Sequence, residues 1–91
     1  MSRVTNIILV TFMDEEESVH ELNKSLKRVD QHAGGDKNME VDVYMGAFNW
    51  LSTSELLEKF NSIEWKWPGH VQLMICEQDD DSFTVYKPMK P

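Results

Sequence analysis

The stretch "RVTNIILVTF" (residues 3–12) decides how the sheet of this protein is expected to form. In an extended chain Ile7 and Leu9 would point to one side and Ile8 and Val10 to the other, so both sides are apolar. A short two-sided run rich in β-branched residues is typical of a central strand, often one in a parallel sheet. The stretch therefore predicts a buried first strand.

The stretch that follows, "DEEESVHELNKSLKRVDQHAGG" (14–35), predicts a helix. Its apolar residues recur at spacings of three and four, which draws a single stripe along a helix: Val19, Leu22, Leu26, Val29 and Ala33. Asp14 would cap the first turn, and Gly34-Gly35 would end the helix because glycine accepts a positive φ.

The remaining elements follow from alternation and from start signals. "MEVDVYMGAF" (39–48) alternates apolar and polar residues, as a half-buried strand near a sheet edge does. "NWLSTSELLEKF" (49–60) predicts a second helix, with Ser52 as its N-cap and Glu55 at the capping-box position. "HVQLMICEQ" (70–78) and "SFTVYK" (82–87) predict two strands that pair as a hairpin.

This β-α-β-α-β-β order predicts an α/β (or α+β) fold. We expect a two-layer sandwich in which a mainly parallel sheet ends in an antiparallel hairpin, with the helices packed on one face. A β-α-β-β-α-β order is the alternative, and it would require the second helix to be misplaced. The 91 residues suit one small globular domain (1–91). Its last residues, "KPMKP" (87–91), are expected to fray.

The composition excludes some classes of function. A net charge of −7 argues against binding to nucleic acid or to an anionic membrane, because both require cationic side chains. This negative charge favours binding to a basic partner or a cation, or it only keeps the protein soluble. Cys76 is the only cysteine, which excludes an internal disulfide and favours a reducing compartment. Because neither a membrane-spanning run nor an export signal is recognisable, we expect a cytoplasmic protein.

Two acidic segments would meet if the first and third strands were parallel. Residues 14–17 and 77–81 follow those strands and hold eight of the sixteen acidic residues. The carboxyl ends of parallel strands lie at one edge, where open α/β sheets place ligands. Asn49 and Trp50 would reach the same edge. We refer to this expected feature as the acidic rim.

The acidic rim predicts a protein-binding domain that acts on a basic partner, for example as an inhibitor, immunity or regulatory factor. Trp65 and Trp67 would add aromatic anchors, although either could instead cover the end of the core. The predicted partner-binding residues are Glu77, Asp79, Asp80, Asp81, Glu15, Glu16, Trp65 and Trp67. The alternative without a binding role is that the acidic turn 77–81 is only a well-solvated hairpin.

A second alternative is a small metal-dependent enzyme or metal binder. Asp79, Asp81 and Glu15 would then hold Mg²⁺ or Ca²⁺. The calcium-loop pattern fails, since Thr84 stands where that loop needs glycine and Lys90 where it needs glutamate. Catalysis is otherwise unsupported, because Cys76 lies mid-strand and the histidines lack metal-ligand spacing. The sequence thus predicts no catalytic residue and no cofactor outside this alternative.

A homodimer is a further alternative within the protein-binding class. The uncovered face of the sheet, with Tyr44, Met74 and Tyr86, would suit a second copy. The final strand would also leave an open edge for another chain.

Overall fold

The structure, a computed structural model, describes residues 3–29, 34–37 and 40–89. Over these ranges the chain forms five strands, two α-helices and a 3₁₀ turn at Pro68–His70. The strands are β1 (Val4–Phe12), β2 (Lys27–Arg28), β3 (Val41–Asn49), β4 (Gln72–Glu77) and β5 (Thr84–Tyr86). The helices are α1 (Glu16–Leu22) and α2 (Thr53–Ser62).

The five strands form one sheet in the order β2-β3-β1-β4-β5, and every neighbouring pair is antiparallel. The prediction of a mainly parallel sheet is therefore wrong, and the fold is α+β. Each helix links two strands that have a third strand between them: α1 links β1 to β2 around β3, and α2 links β3 to β4 around β1. This is the split β-α-β arrangement of ferredoxin-like folds, with β5 added at one edge.

The early end of α1 explains the error. The helix ends at Leu22 because Asn23 is extended and its Oδ1 accepts a hydrogen bond from Ser25 N at 2.8 Å. The chain then forms β2, which pairs with β3 through Arg28 and Tyr44. Leu26 stays buried although it is not helical, so the apolar stripe predicted a longer helix than exists. The predicted stripe residue Ala33 lies outside the described residues.

The predicted Asp14 cap is also wrong, because the N-cap position of α1 is Glu15 and no side chain caps the helix there. Three other local predictions are confirmed. α2 begins after Ser52, whose Oγ accepts a hydrogen bond from Glu55 N at 3.4 Å. The hairpin of β4 and β5 pairs Met74 with Val85. The predicted first strand also takes the central position, because β1 pairs with both β3 and β4.

Both helices contribute to a core on one face of the sheet. β1 turns Ile7 and Leu9 into this core, and α1 and α2 cover them with Leu22 and Phe60, among others. The opposite face carries the alternate strand residues, which are half-buried or exposed. We call it the outer face. Strand alternation places thirteen residues of the three longest strands on it: Val4, Asn6, Ile8, Val10, Phe12, Val41, Val43, Met45, Ala47, Asn49, Gln72, Met74 and Cys76.

Candidate functional site

The two acidic segments lie at opposite ends of the sheet. β1 and β4 are antiparallel, with Thr5 opposite Glu77 and Val10 opposite Gln72. The turn after β1 therefore leaves from one end and the turn after β4 from the other. The acidic rim that the sequence predicted does not form, because its assembly depended on parallel strands.

Glu15 of the first acidic segment is buried. It is only 1% exposed, and its carboxylate accepts hydrogen bonds from Lys66 N at 3.1 Å and from Trp67 N at 2.9 Å. These donors belong to the segment between α2 and β4, so the carboxylate fixes that segment against the end of β1. Glu15 is thus a structural anchor, and its geometry does not suit the partner contact or the metal ligand predicted for it.

The two predicted tryptophans differ in position. Trp65 is 7% exposed, and its Nε1 donates to Phe60 O at 3.1 Å, so its ring closes the core beside α2. Trp67 is 49% exposed, and its ring meets that of Phe12 edge-on at a centroid distance of 5.7 Å. Only Trp67 of this pair can reach a partner at the surface.

A cleft of about 430 Å³ opens beside the first acidic segment. Acidic and basic side chains line it together with Met13: Asp14, Glu16, Glu17, Arg28, Asp42 and Lys66. The predicted contact residue Glu16 therefore faces a cleft of mixed charge. Lys66 and Arg28 offset part of the acidic charge, which weakens the case for a cation site here.

A buried hydroxyl lies next to this cleft. Among the residues that the structure describes, the buried Tyr44 hydroxyl has no hydrogen-bond partner, and the same holds for the Thr11 hydroxyl on β1. Burial raises the pKa of Tyr44, and the nearby carboxylates of Asp42 and Glu16 raise this pKa further. The phenol is therefore a neutral core group at physiological pH.

The metal alternative is not supported by this arrangement. Glu15 lies at the opposite end of the sheet from Asp79 and Asp81, so the three predicted ligands are not brought together. Over residues 3–29, 34–37 and 40–89, no group of three acidic, histidine or cysteine side chains is placed to hold a metal ion.

The second acidic segment is an organised turn. Asp80 Oδ2 accepts a hydrogen bond from Glu77 N at 3.0 Å, and Asp80 N donates to Glu77 O at 2.9 Å. Thr53 Oγ1 donates to Glu77 Oε1 at 3.0 Å, which links the turn to α2. Val4 N donates to Gln78 Oε1 at 3.1 Å, which links it to β1. Asp79 and Asp81 are exposed on this fixed turn.

Trp50 lies at the same end of the sheet. It directly follows β3, whose last residue, Asn49, is opposite Val4, and Trp50 N donates to Arg3 O at 3.0 Å. Trp50 is 71% exposed and its φ is 60°, a left-handed conformation that costs an L-residue about 1–2 kcal/mol. Because β1 alone separates β3 from β4, the ends of those two strands are about 10 Å apart.

We call the area formed by Trp50, Asp79, Asp80 and Asp81 the turn surface. The sequence pattern predicted Trp50 at a rim with both acidic segments, whereas in the structure Trp50 lies at the same end of the sheet as the second segment alone. Its position after β3 was readable from the sequence. The exposure of its ring was not, because exposure depends on how the chain enters α2.

The outer face differs from its prediction in two of three residues. Met74 lies on it, but Tyr44 is in the core, and Tyr86, opposite Leu73, packs against the core. Exposed apolar side chains accompany Met74 along this side of the sheet. Strand alternation places Val29, Met45 and Val85 on this side, and Phe83 lines a pocket there.

Comparisons with known protein families, with curated proteins and with solved structures gave no match. In the part of the chain that the structure describes, neither helix is long and apolar enough to cross a membrane. The turn surface and the outer face are therefore the features of the chain that indicate a function.

Proposed function

We propose that this chain is a protein-binding domain that acts on a basic partner through the turn surface. The observation that carries the proposal is the exposed Trp50 at the same end of the sheet as a fixed acidic turn. Tryptophan is enriched among the residues that contribute most to binding energy, and acidic side chains around it would steer a basic partner. The net charge of −7 supports the same direction of steering.

The fixed geometry of the turn also favours binding. Hydrogen bonds to Glu77, Thr53 and Val4 hold the turn before any partner arrives, so less conformational entropy is lost on association. Exposed aspartates on a rigid turn can add electrostatic attraction without the cost of ordering a loop. In the cytoplasm, such a domain would serve as an inhibitor, immunity protein or regulatory factor of its partner.

Other predicted contact residues have different positions in this proposal. Glu77 is half-buried, with its carboxylate bonded to Thr53, so it supports the turn rather than contacting the partner. Glu16 and Trp67 lie at the opposite end of the sheet and are outside the turn surface.

The test is capture of a partner from the host lysate, followed by titration of the purified partner. Asp79→Asn with Asp81→Asn should weaken binding and reduce its salt dependence, because two steering charges are lost. Trp50→Ala should weaken binding by about tenfold or more, the effect expected of an anchor residue. Glu21→Gln with Glu58→Gln is the matched control, since it changes the net charge equally on exposed helix positions.

The control variant should bind as the unchanged chain does. If it weakens binding as much as the aspartate pair, net charge alone is responsible and the turn surface is not the site. Binding that survives both Trp50→Ala and the aspartate pair would also contradict the proposal.

A further inference from the structure

The centre of the outer face is apolar, although the helices of the described chain cover only the opposite side of the sheet. Ile8 lies at its centre, with Met45 opposite it on β3 and Met74 opposite it on β4. Val10 and Val43 are also paired there. The two-sided apolar pattern of β1 is typical of a strand buried on both sides, yet within the described chain the core covers one side alone. On the other side, the rings of Trp67 and His70 meet Phe12 at the end of the strand. A large apolar surface of this kind marks an interaction site.

The charge of the outer face points to its occupant. Within the described strands, no outward-facing position carries a carboxylate, and Lys27 at the β2 edge is the one charged residue. The whole chain nevertheless carries sixteen acidic residues and a net charge of −7. Two copies would repel each other through most surfaces, but not through this one. A basic partner, by contrast, finds no complementary charge on it.

The relief of the outer face also suits a second copy. A depression of about 380 Å³ lies between Asn6, Met45, Ala47 and Phe83, next to protruding apolar side chains. A twofold interface brings the same patch of both copies together, so protrusions and depressions must occur on the same face. Both are present here.

The size of the face predicts a weak dimer. β1 and β3 have nine residues each, β4 six and β5 three. At about 3.3 Å per residue and about 4.8 Å between strands, they cover a rectangle of about 430 Å². Protruding side chains have a larger accessible area than this projection, so the buried area approaches the ~600 Å² per partner of the smallest specific interfaces.

We infer that the outer face is the interface of a symmetric homodimer, in which the sheets of two copies pack face to face. Packed sheets of this kind lie about 10 Å apart and interdigitate the side chains of their facing surfaces. Ile8, Met45 and Met74 would form the centre of the interface. The turn surface lies at the end of the sheet and stays accessible, so this inference does not depend on the proposed function.

The test is the mass in solution as a function of concentration. Sedimentation equilibrium from about 1 µM to about 1 mM covers the weak affinities expected of a small interface. The mass should rise from 10.6 kDa towards twice that value. Met45→Glu should raise the dissociation constant by about 30-fold or more, because the twofold axis places the substitution in the interface twice.

Met89→Glu is the matched control. It makes the same substitution and charge change at a methionine that is 82% exposed and lies beyond β5, whereas Met45 is 47% exposed on the outer face. Because Met45 is exposed in the single chain, Met45→Glu should fold, which circular dichroism of dilute samples checks. Phe83→Ser provides a second variant at the edge of the depression.

A mass of 10.6 kDa at every concentration would overturn the inference. So would a dimer that Met45→Glu and Phe83→Ser leave intact, since that result would indicate pairing through another surface, such as the open edge of β5. Loss of dimerisation in Met89→Glu would attribute the effect to net charge, which also contradicts the inference.

Discussion

Replacing Glu15 tests whether one buried carboxylate joins two distant parts of the chain. Glu15 accepts hydrogen bonds from backbone N–H groups that are 51 and 52 residues away, at Lys66 and Trp67. Glu15→Gln keeps the shape of the side chain but turns one acceptor into a donor. One of the two backbone N–H groups then faces an N–H group and loses its partner.

The magnitude follows from these two bonds. A hydrogen bond to a charged group contributes about 1.5–3 kcal/mol, and a buried donor without a partner costs about 1–3 kcal/mol. We therefore expect Glu15→Gln to lower the free energy of unfolding by about 2–3 kcal/mol. Glu15→Ala removes both acceptors and leaves a cavity, so we expect a loss of about 3–5 kcal/mol. For a domain of this size, 2 kcal/mol lowers the melting temperature by about 8–16 °C.

Urea unfolding followed by tryptophan fluorescence measures the change, because Trp65 is buried and its emission should shift as the chain unfolds. Glu16→Gln is the control. It alters the neighbouring residue, which is exposed, and should change stability by less than about 0.5 kcal/mol. If Glu15→Gln is as stable as Glu16→Gln, the carboxylate does not join the two segments, and the structural role given to Glu15 is wrong.

Three further predictions concern single residues. Tyr44→Phe should raise the stability at pH 7 by about 1 kcal/mol, because it removes a buried hydroxyl that has no partner in the described part of the chain. Burial raises the pKa of Tyr44 above its ordinary value of 10.0, so the neutral phenol's contribution to stability should be fully present below pH 10 and should be lost as the pH rises through the raised pKa. In urea titrations at alkaline pH, Tyr44→Phe should lack this part of the loss. Gly46→Ala should lower the free energy of unfolding by about 1–3 kcal/mol in the same assay, because its Cβ would lie 2.7 Å from the Phe48 ring and 3.0 Å from Leu26. Combining it with Phe48→Leu should reduce this loss. Trp50→Gly should melt above Trp50→Ala by the equivalent of about 0.5–1 kcal/mol, since a φ of 60° favours glycine, and the opposite order would contradict the left-handed conformation.

Local signals in the sequence predicted the elements that depend on local chemistry. Ser52 and Glu55 set the start of α2, and the acidic turn between β4 and β5 is held by Asp80, whose side chain accepts a hydrogen bond from a nearby backbone group. Non-local features were beyond such signals. β2 has only two residues, too few for an alternating pattern, and the helix pattern ran through it because Leu26 is buried in either conformation.

In the candidate site, too, some features could be predicted from local sequence and others could not. The exposure of Asp79 and Asp81 was predictable, since a connection between two strands lies at the surface. The burial of Glu15 was not predictable, because the N–H groups that hydrogen-bond its buried carboxylate belong to a segment more than fifty residues later in the chain. An acidic residue at the start of a helix is ordinarily explained by the helix dipole, and that explanation concealed its contact with the segment after α2.

The error about strand direction supports the dimer. The two-sided apolar pattern of β1 predicted a parallel sheet because such strands are ordinarily covered on both faces. The sheet is antiparallel, and antiparallel sheets commonly expose one polar face, which would place polar residues at Ile8 and Val10. These positions are apolar, as are Val43, Met45 and Met74 around them. A second copy that covers the outer face would account for this pattern and would leave the turn surface of each copy accessible, so that one dimer presents two binding sites for a basic partner.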